Sequence, residues 1–516
     1  MGPKSVLAII SLFLIVHWAN GSNILVIFSS VSKSHNVLGV KLVEGLLKRG
    51  HHVTFANPFP TPQMENLTVI HMSSISKFFT DVTSKPAPFE EGFMGNFQRI
   101  NLFLTSPNEM FWSDTSIQKI IKEKPKYDLL ITLTFFNDAI LGLGHHLGVP
   151  TIVFNCIGTF TLFNNFVANP TMVYSRNAMA GLATDTFWGR LKTVTVNMAM
   201  GAIDIFIVSP YNQGLLDKHL PNSPPLSVLQ KEVSLVLASS HYSIETARPY
   251  VPNMIQIGGY HVQNVKPLPA EFKKFLDNAE KGAILFSLGG NVKVAMLGPK
   301  KVEAMFKVLG ELAPMRVIFK SDMEHDNVPK NIMVRNWVPQ ADILAHPKTR
   351  LFIAHGGLGG VTESVYHGVP ILFLPFVGDQ TTNSQEGKLA GYGDILKPDD
   401  ITEETFRDKV NNMLKDPKYT KIVKSRSALM KEQPVTPMEN AMFWIEHVIK
   451  YGGGKHLQNP GVHLTWYQLY MVDIYIFYTV VLLLLLVINI YAIKFTIRVV
   501  KKLLGKSKQQ KKQKKS

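Results

Sequence analysis

The stretch FIAHGGLGGVTESVYHGVPILFLPFVGDQ, Phe352 to Gln380, decides how this chain is read. An apolar run suited to a strand buried on both faces ends at His355, crosses a glycine turn and enters the helical stretch VTESVYHG. A second apolar run follows and stops at Asp379-Gln380. Glycines on such a turn let a ligand approach the backbone, and the helix behind them offers unpaired N–H groups and a positive dipole end. That is a place for phosphate. His355 can add a hydrogen bond or charge to a diphosphate. Glu363 would be repelled by phosphate, but a carboxylate accepting two hydrogen bonds suits the vicinal hydroxyls of a ribose. Asp379 and Gln380 can bond the hydroxyls of a second sugar. Upstream, NWVPQADILAH brings Trp337, whose face can stack on a base, and Gln340, a further amide contact. Taken singly these residues are as easily a packed histidine, a core tryptophan and a solvated helix surface. Their joint spacing favours the site.

Outward from this stretch the chain repeats one pattern. NILVIFSS (Asn23–Ser30), a loop with Ser34-His35, a helical stretch to Arg49 stopped by Gly50, and HVTFAN (His52–Asn57) form a βαβ unit. YDLLITLTFFND, VPTIVFN and VSLVLASS continue the series. A second series runs through GAILFSLGG, MRVIFK, NIMVRN, TRLFIAH and VPILFLPF, after a linker marked by Pro267 and Pro269. No G-x-G-x-x-G follows the first strand, so the dinucleotide fingerprint is absent. The expectation is α/β: two Rossmann-like domains whose strand ends face a cleft, residues 22–265 and 266–468. Thirteen of the 31 phenylalanines fall between Phe78 and Phe166, which suggests an aromatic core, an apolar pocket or a patch against a bilayer.

The ends carry other signals. MGPKSVLAIISLFLIVHWANGS reads as a secretory signal peptide over residues 1–21. Ile474 to Ile493 is free of charge, and its twenty residues at about 1.5 Å each span a hydrocarbon core. Trp466, Tyr467 and Tyr470 precede it as an interfacial belt, so residues 469–493 are read as a transmembrane helix and 494–516 as a cytosolic basic tail. That tail holds ten Lys or Arg and no acid, which leaves only +6 of the +16 net charge for the other 493 residues and removes the case for nucleic acid. Lys512 and Lys514 have the spacing of a retention signal, giving a single-pass type I protein of the endoplasmic reticulum membrane with its domains in the lumen. Asn66-Leu67-Thr68 is a glycosylation sequon, and the single cysteine, Cys156, cannot form an internal disulfide.

The segment from Trp337 to Gln380 resembles the signature of the UDP-glycosyltransferase family, of GT-B fold, in a style similar to arthropod members. Trp337, Gln340, His355, Gly357, Glu363, Asp379 and Gln380 stand at the family's intervals. The resemblance implies a UDP-sugar site in the C-terminal domain, to which Ser287 and Gly289 of FSLGG also belong, and an acceptor site in the N-terminal domain. It implies His35 as the general base, oriented by a carboxylate for which Asp138 is the candidate. In many relatives that acid sits earlier, where this chain has Thr132, Leu133 and Thr134. Two further departures are Gly359, often Asn, and Gly290, often Ser. The expected reaction is inverting transfer of a hexosyl group, with glucose as the expected sugar, to a hydroxyl of a small lipophilic acceptor. No cofactor or metal is expected, since the chain has no D-x-D pair. Glucuronosyl transfer, an inactive UDP-sugar-binding homologue and a homo-oligomer stay open.

Overall fold

The computed structural model describes residues 21–30, 32–83, 105–158, 161–171, 181, 186–262, 265–290 and 292–513. The expected signal peptide, save its last residue, and Lys514 lie outside them. Contacts divide the chain into Met1–Asn459 and Pro460–Ser516.

The first unit holds two parallel sheets. In the first, β1 (Asn23–Ile27), β2 (His52–Asn57), β3 (Leu67–His71), β4 (Leu129–Leu133), β5 (Thr151–Asn155), β6 (Leu235–Ala238) and β7 (Met254–Gln256) run in the order β3-β2-β1-β4-β5-β6-β7. The second is built from β8 (Ala283–Ser287), β9 (Arg316–Lys320), β10 (Ile332–Arg335), β11 (Thr349–Ala354), β12 (Ile371–Phe373) and β13 (Gly393–Ile395), ordered β10-β9-β8-β11-β12-β13. Winding reverses between β1 and β4 and again between β8 and β11. Ligands of open parallel sheets collect at such switch points, beyond the carboxyl ends of the strands.

The continuous apolar runs arise because both faces of each sheet are covered. Ile24, Val26, Leu129 and Ile131 enter one core, while Leu25, Ile27 and Leu130 enter another on the opposite face. The second sheet divides Ile284 and Phe286 from Ala283 and Leu285 in the same way. Alternate residues serving two apolar layers leave no polar face for the sequence to show.

Six helices matter below: α1 (Lys33–Lys48), α2 (Phe187–Ile203), α3 (Leu358–His367), α4 (Gln380–Leu389), α5 (Pro437–Tyr451) and α6 (Val472–Gln513). Helix α1 buries Leu38, Leu42, Val43 and Leu46 on one stripe against the first sheet. Helix α5 is set by a Thr436–Glu439 capping box, Pro437 in its first turn and Gly452 in the left-handed conformation at its end. Its Ala441, Met442, Ile445 and Val448 join the core of the first sheet, not the second. Gly45 on α1 makes room for it, since a Cβ there would sit 2.5 Å from Met438 Sδ. Assigning all of 266–468 to the second domain therefore needs correction: residues 437–451 complete the first. The apolar positions of α5 show a buried stripe but not which sheet it covers.

The two sheets are tied by a buried ion pair. Glu386 of α4, 3% exposed, takes Arg248 Nη2 on Oε1 at 2.9 Å. Its Oε2 accepts from Thr246 Oγ1 (2.7 Å) and Thr246 N (3.1 Å). Tyr392 Oη donates to the Ile244 carbonyl (3.0 Å) and Arg426 Nη1 to that of Ser243 (3.0 Å). The β6–β7 connection is thus clamped by side chains of the second domain.

In the second unit, α6 contains an apolar span, Val472–Gly505, long enough to cross a membrane. The first unit holds another stretch that meets the same criterion, Phe187–His219, which sequence reading had not singled out. Helix α2 leaves Phe187, Trp188, Leu191 and Met198 exposed, and the chain continues through a π-helical turn, Asp204–Val208, where Ile205 and Phe206 are also exposed. This exposed apolar stretch lies downstream of the phenylalanine-rich segment, part of which, residues 84–104, lies outside the described residues. Within that segment Phe111, Phe154, Phe163 and Phe166 are buried core.

Candidate active site

The second switch point assembles most of the expected donor residues. β8 ends in Ser287, whose Oγ accepts from Gly289 N (3.3 Å), and His355 follows directly on the last residue of β11, Ala354. Gly289 (φ +77°) and Gly357 close around the His355 ring: a Cβ at either would approach ring atoms to 2.7 and 2.5 Å. Gly356 (φ +89°) makes the turn, and Gly357 is the N-cap of α3, with no side chain over the helix end. The glycines are therefore needed twice, for backbone shape and to admit an imidazole beside an open helix N-terminus. His355 Nδ1 is buried without a hydrogen-bond partner. Burial, with Lys320 adding, pushes His355 down to about 4, so it meets an anion as a neutral ring.

Lys320, at the end of β9, places Nζ 2.6 Å from the Gly289 carbonyl. Its pKa lies below the usual lysine range, through burial first and then Lys33 and Lys293, with Asp322 opposing. Lys33 stands on α1 of the first domain. That Lys33 acts on Lys320 places the opening turn of α1 near the carboxyl end of β9. The buried Cys156 thiol, at the end of β5, is pushed up by desolvation and by Asp379 from the second domain. Sequence reading missed Lys320; the available signal was its position as the last residue of a buried strand.

Glu363 lies one turn into α3, its Oε2 accepting from Gln340 Nε2 at 2.6 Å. Desolvation raises it to about 7, Asp342 adds, and the Gln340 hydrogen bond opposes. Trp337 is 58% exposed, leaving its ring available for stacking. Trp337, Gln340 and Glu363 thus lie in sequence around β11 and α3, with Gln340 bonded to Glu363, while His355 and Gly357 form the turn into α3. Asp379, half-buried, receives Asn383 Nδ2 on Oδ2 (2.7 Å). Gln380 differs from expectation: it is 7% exposed, and its Oε1 accepts from the Phe376 and Val377 amides (2.9 and 3.1 Å). Its oxygen holds the turn in place of a sugar hydroxyl.

On the first domain, His35 sits in the opening turn of α1, beyond the end of β1. Its Nδ1 is 2.7 Å from Ser30 Oγ, and burial pushes it down to about 4. The expected His35–Asp138 dyad is not formed. Asp138 Oδ2 accepts from Gln230 Nε2 (2.8 Å), and the carboxyl group rises to about 7 through burial, against the Gln230 bond and with Asp204 adding. Asp138 opens the short helical turn after β4, which turns its side chain toward residues 204 and 230. Position after a strand is legible in sequence, whereas side-chain direction depends on the turn between. The neighbouring Asn137 bridges instead, donating to Ser29 Oγ (3.0 Å). Asn66 is exposed in the turn before β3. In the adjacent pairs His51-His52 and His145-His146, His146 Nε2 meets the Ile121 carbonyl (2.8 Å) and His51 Nδ1 accepts from Ser22 N (3.1 Å). Among the described residues no group of three or more His, Cys, Asp and Glu is placed to hold a metal ion.

A glycine-lined helix end, an exposed tryptophan and a buried carboxyl group can be compared with known proteins. The family described as UDP-glucoronosyl and UDP-glucosyl transferase matches residues 13–510. The chain belongs to this family. UDP-glycosyltransferase UGT5 of Dactylopius coccus is 31% identical over 493 residues, covering 92% of each chain. UDP-glucuronosyltransferase 1A6 of Homo sapiens is 29% identical over 464 residues, 89% of this chain and 85% of the human one. Among solved structures, the calicheamicin glycosyltransferase CalG4 superposes with a TM-score of 0.57 at 17% identity, over 83% of this chain and 98% of that one. The fold is GT-B, and this UDP-glycosyltransferase carries a C-terminal apolar helix compatible with a membrane anchor.

Proposed function

We propose that this UDP-glycosyltransferase transfers glucose from UDP-glucose to a hydroxyl of a small lipophilic acceptor, with inversion and without metal. The observation that carries the reading is the position of His35, beyond the end of β1, in the same helical turn as the Lys33 that acts on Lys320 beside Gly289. Trp337 would stack on uracil, Glu363 with Gln340 would bond the ribose, and Asp379 the hexose. The diphosphate would rest on the α3 N-terminus, His355 and Lys320, groups fixed before the reaction and aimed at the charge the leaving UDP develops. When His35 Nδ1 donates to Ser30, Nε2 is left as the base. It takes the acceptor proton as the new oxygen–carbon bond forms and the bond from the anomeric carbon to the phosphate oxygen breaks. Ser30 would orient the ring in the role expected of Asp138, without stabilising the imidazolium by charge.

In this reading the domains lie in the lumen of the endoplasmic reticulum, and α6 anchors them. UDP-glucose turnover by membranes containing the chain tests the sugar; product from UDP-glucuronate alone would refute glucose. The missing acid beside His35, with Gly290 and Gly359, favours one second reading, a UDP-sugar-binding homologue without turnover. His35→Ala separates the two: an enzyme loses nearly all turnover while still binding UDP.

A further inference from the structure

Asp138, freed from His35, belongs to a different place. With Thr134, Phe135, Phe136, Phe163, Phe166, Asp204 and Gln230 it lines a cavity of about 30 Å³ between the end of β4 and the π-helical turn after α2. Two carboxyl groups and aromatic rings therefore share a small space. Thr134, 2% exposed and part of the wall, has a hydroxyl with no hydrogen-bond partner. A buried hydroxyl left unmade costs stability, so it is a group that a ligand donor would satisfy. Desolvation is the first cause of the upward shift of both acids, and no basic side chain is among what offsets it. The volume exceeds what one water needs and suits a small polar head, not a whole aromatic molecule.

We propose that this cavity binds the ammonium head of a small hydrophobic amine, held between Asp138 and Asp204, donating to Thr134 Oγ1 and faced by the phenylalanine rings. Carboxylates supply the charge partner, and π faces attract an ammonium that has left water. Asn137 joins this loop to Ser29, next to the Ser30 that orients His35. A ligand with its amine in the cavity would have to extend along Asn137 toward Ser29 to bring a hydroxyl to the candidate base. Resting on the proposed function, the acceptor class becomes hydroxylated aryl- and alkylamines.

Binding is tested first, on the full chain in detergent, by calorimetry with phenethylamine and its neutral counterpart 2-phenylethanol. The amine should bind at least about tenfold more tightly, the scale of a charge-assisted hydrogen bond in a desolvated site. Asp138→Asn and Asp204→Asn should each reduce that preference, with the unfolding midpoint as the folding control. Asp204 stands nearer the surface, so its variant remains informative if Asp138→Asn does not fold. Equal binding of amine and alcohol, or a preference that survives both substitutions, overturns the proposal. Turnover is tested second, with tyramine and 4-ethylphenol as paired acceptors for UDP-glucose. Transfer to the phenol without amine preference refutes the site and leaves the transferase reading standing. Amine binding that both substitutions reduce, with transfer to neither acceptor, supports the site and counts against the transferase reading.

Discussion

Glu363→Gln sets stability and donor binding against each other. Its carboxyl group is raised from the ordinary 4.5 to about 7, mainly by desolvation. Below pH ~4.5 both folded and unfolded chains hold the proton, and the group's contribution to stability is fully present. As pH rises toward 7 the unfolded chain ionises first and that contribution is lost; beyond 7 the loss is complete. At about 1.4 kcal/mol per pH interval, the total is on the order of 3 kcal/mol. The glutamine variant, with nothing to ionise, should match the wild type at pH 4.5 and exceed it by up to about 3 kcal/mol at pH 8. It should also lose the charged acceptor for the ribose hydroxyls, roughly 1.5–3 kcal/mol or ten- to a hundredfold in UDP affinity. Denaturant unfolding from pH 4.5 to 8 measures the first, and calorimetry with UDP at pH 8 the second. A stability difference that does not vary with pH, or undiminished UDP affinity, would refute the assignment of Glu363 as a desolvated ribose ligand.

Gly289→Ala puts a Cβ 2.7 Å from the His355 ring at a φ of +77° and should weaken UDP binding by tenfold or more, on ~1–3 kcal/mol of strain. Gly290→Ser and Gly359→Asn meet nothing within 4 Å and should each raise UDP affinity by up to about fivefold, through one added hydrogen bond of ~1 kcal/mol. Because burial holds His35 at about 4, kcat/KM should be flat above pH ~5.5 and fall only as pH drops toward 4; a midpoint near 6.5 would contradict the desolvated, acid-free environment. Glu386→Gln leaves Arg248 facing a neutral group in a buried site and should cost ~3–5 kcal/mol, read as a lower denaturant midpoint.

The glycine turn of the second domain was legible because it imposes backbone requirements. Positive φ at Gly289 and Gly356, and room for the His355 ring beside Gly289 and Gly357, call for glycine, and glycines stand out in a sequence of apolar strands. Side chains that act by direction were not. Gln380 sits at the family spacing, yet its oxygen turns inward to two backbone amides. Asp138 follows the right strand, but the turn at residues 138–140 rotates it away from His35. Lys320, Glu386 and Arg248 drew no attention because a charge becomes informative only once its burial is known. Three-residue strands such as β7 and β13 were invisible for a simpler reason: so short a run carries no period.

Helix α5 has a consequence for how the protein is made. A ribosome releases the first sheet long before it reaches Pro437, so the side of α1 at Gly45 that receives Met438 and Met442 emerges with nothing to cover it. The 180 residues from 257 to 436 separate β7 from that helix. During that interval the nascent lobe is an incomplete body, a natural client for chaperones, and a fragment ending near the linker should be sticky and short-lived.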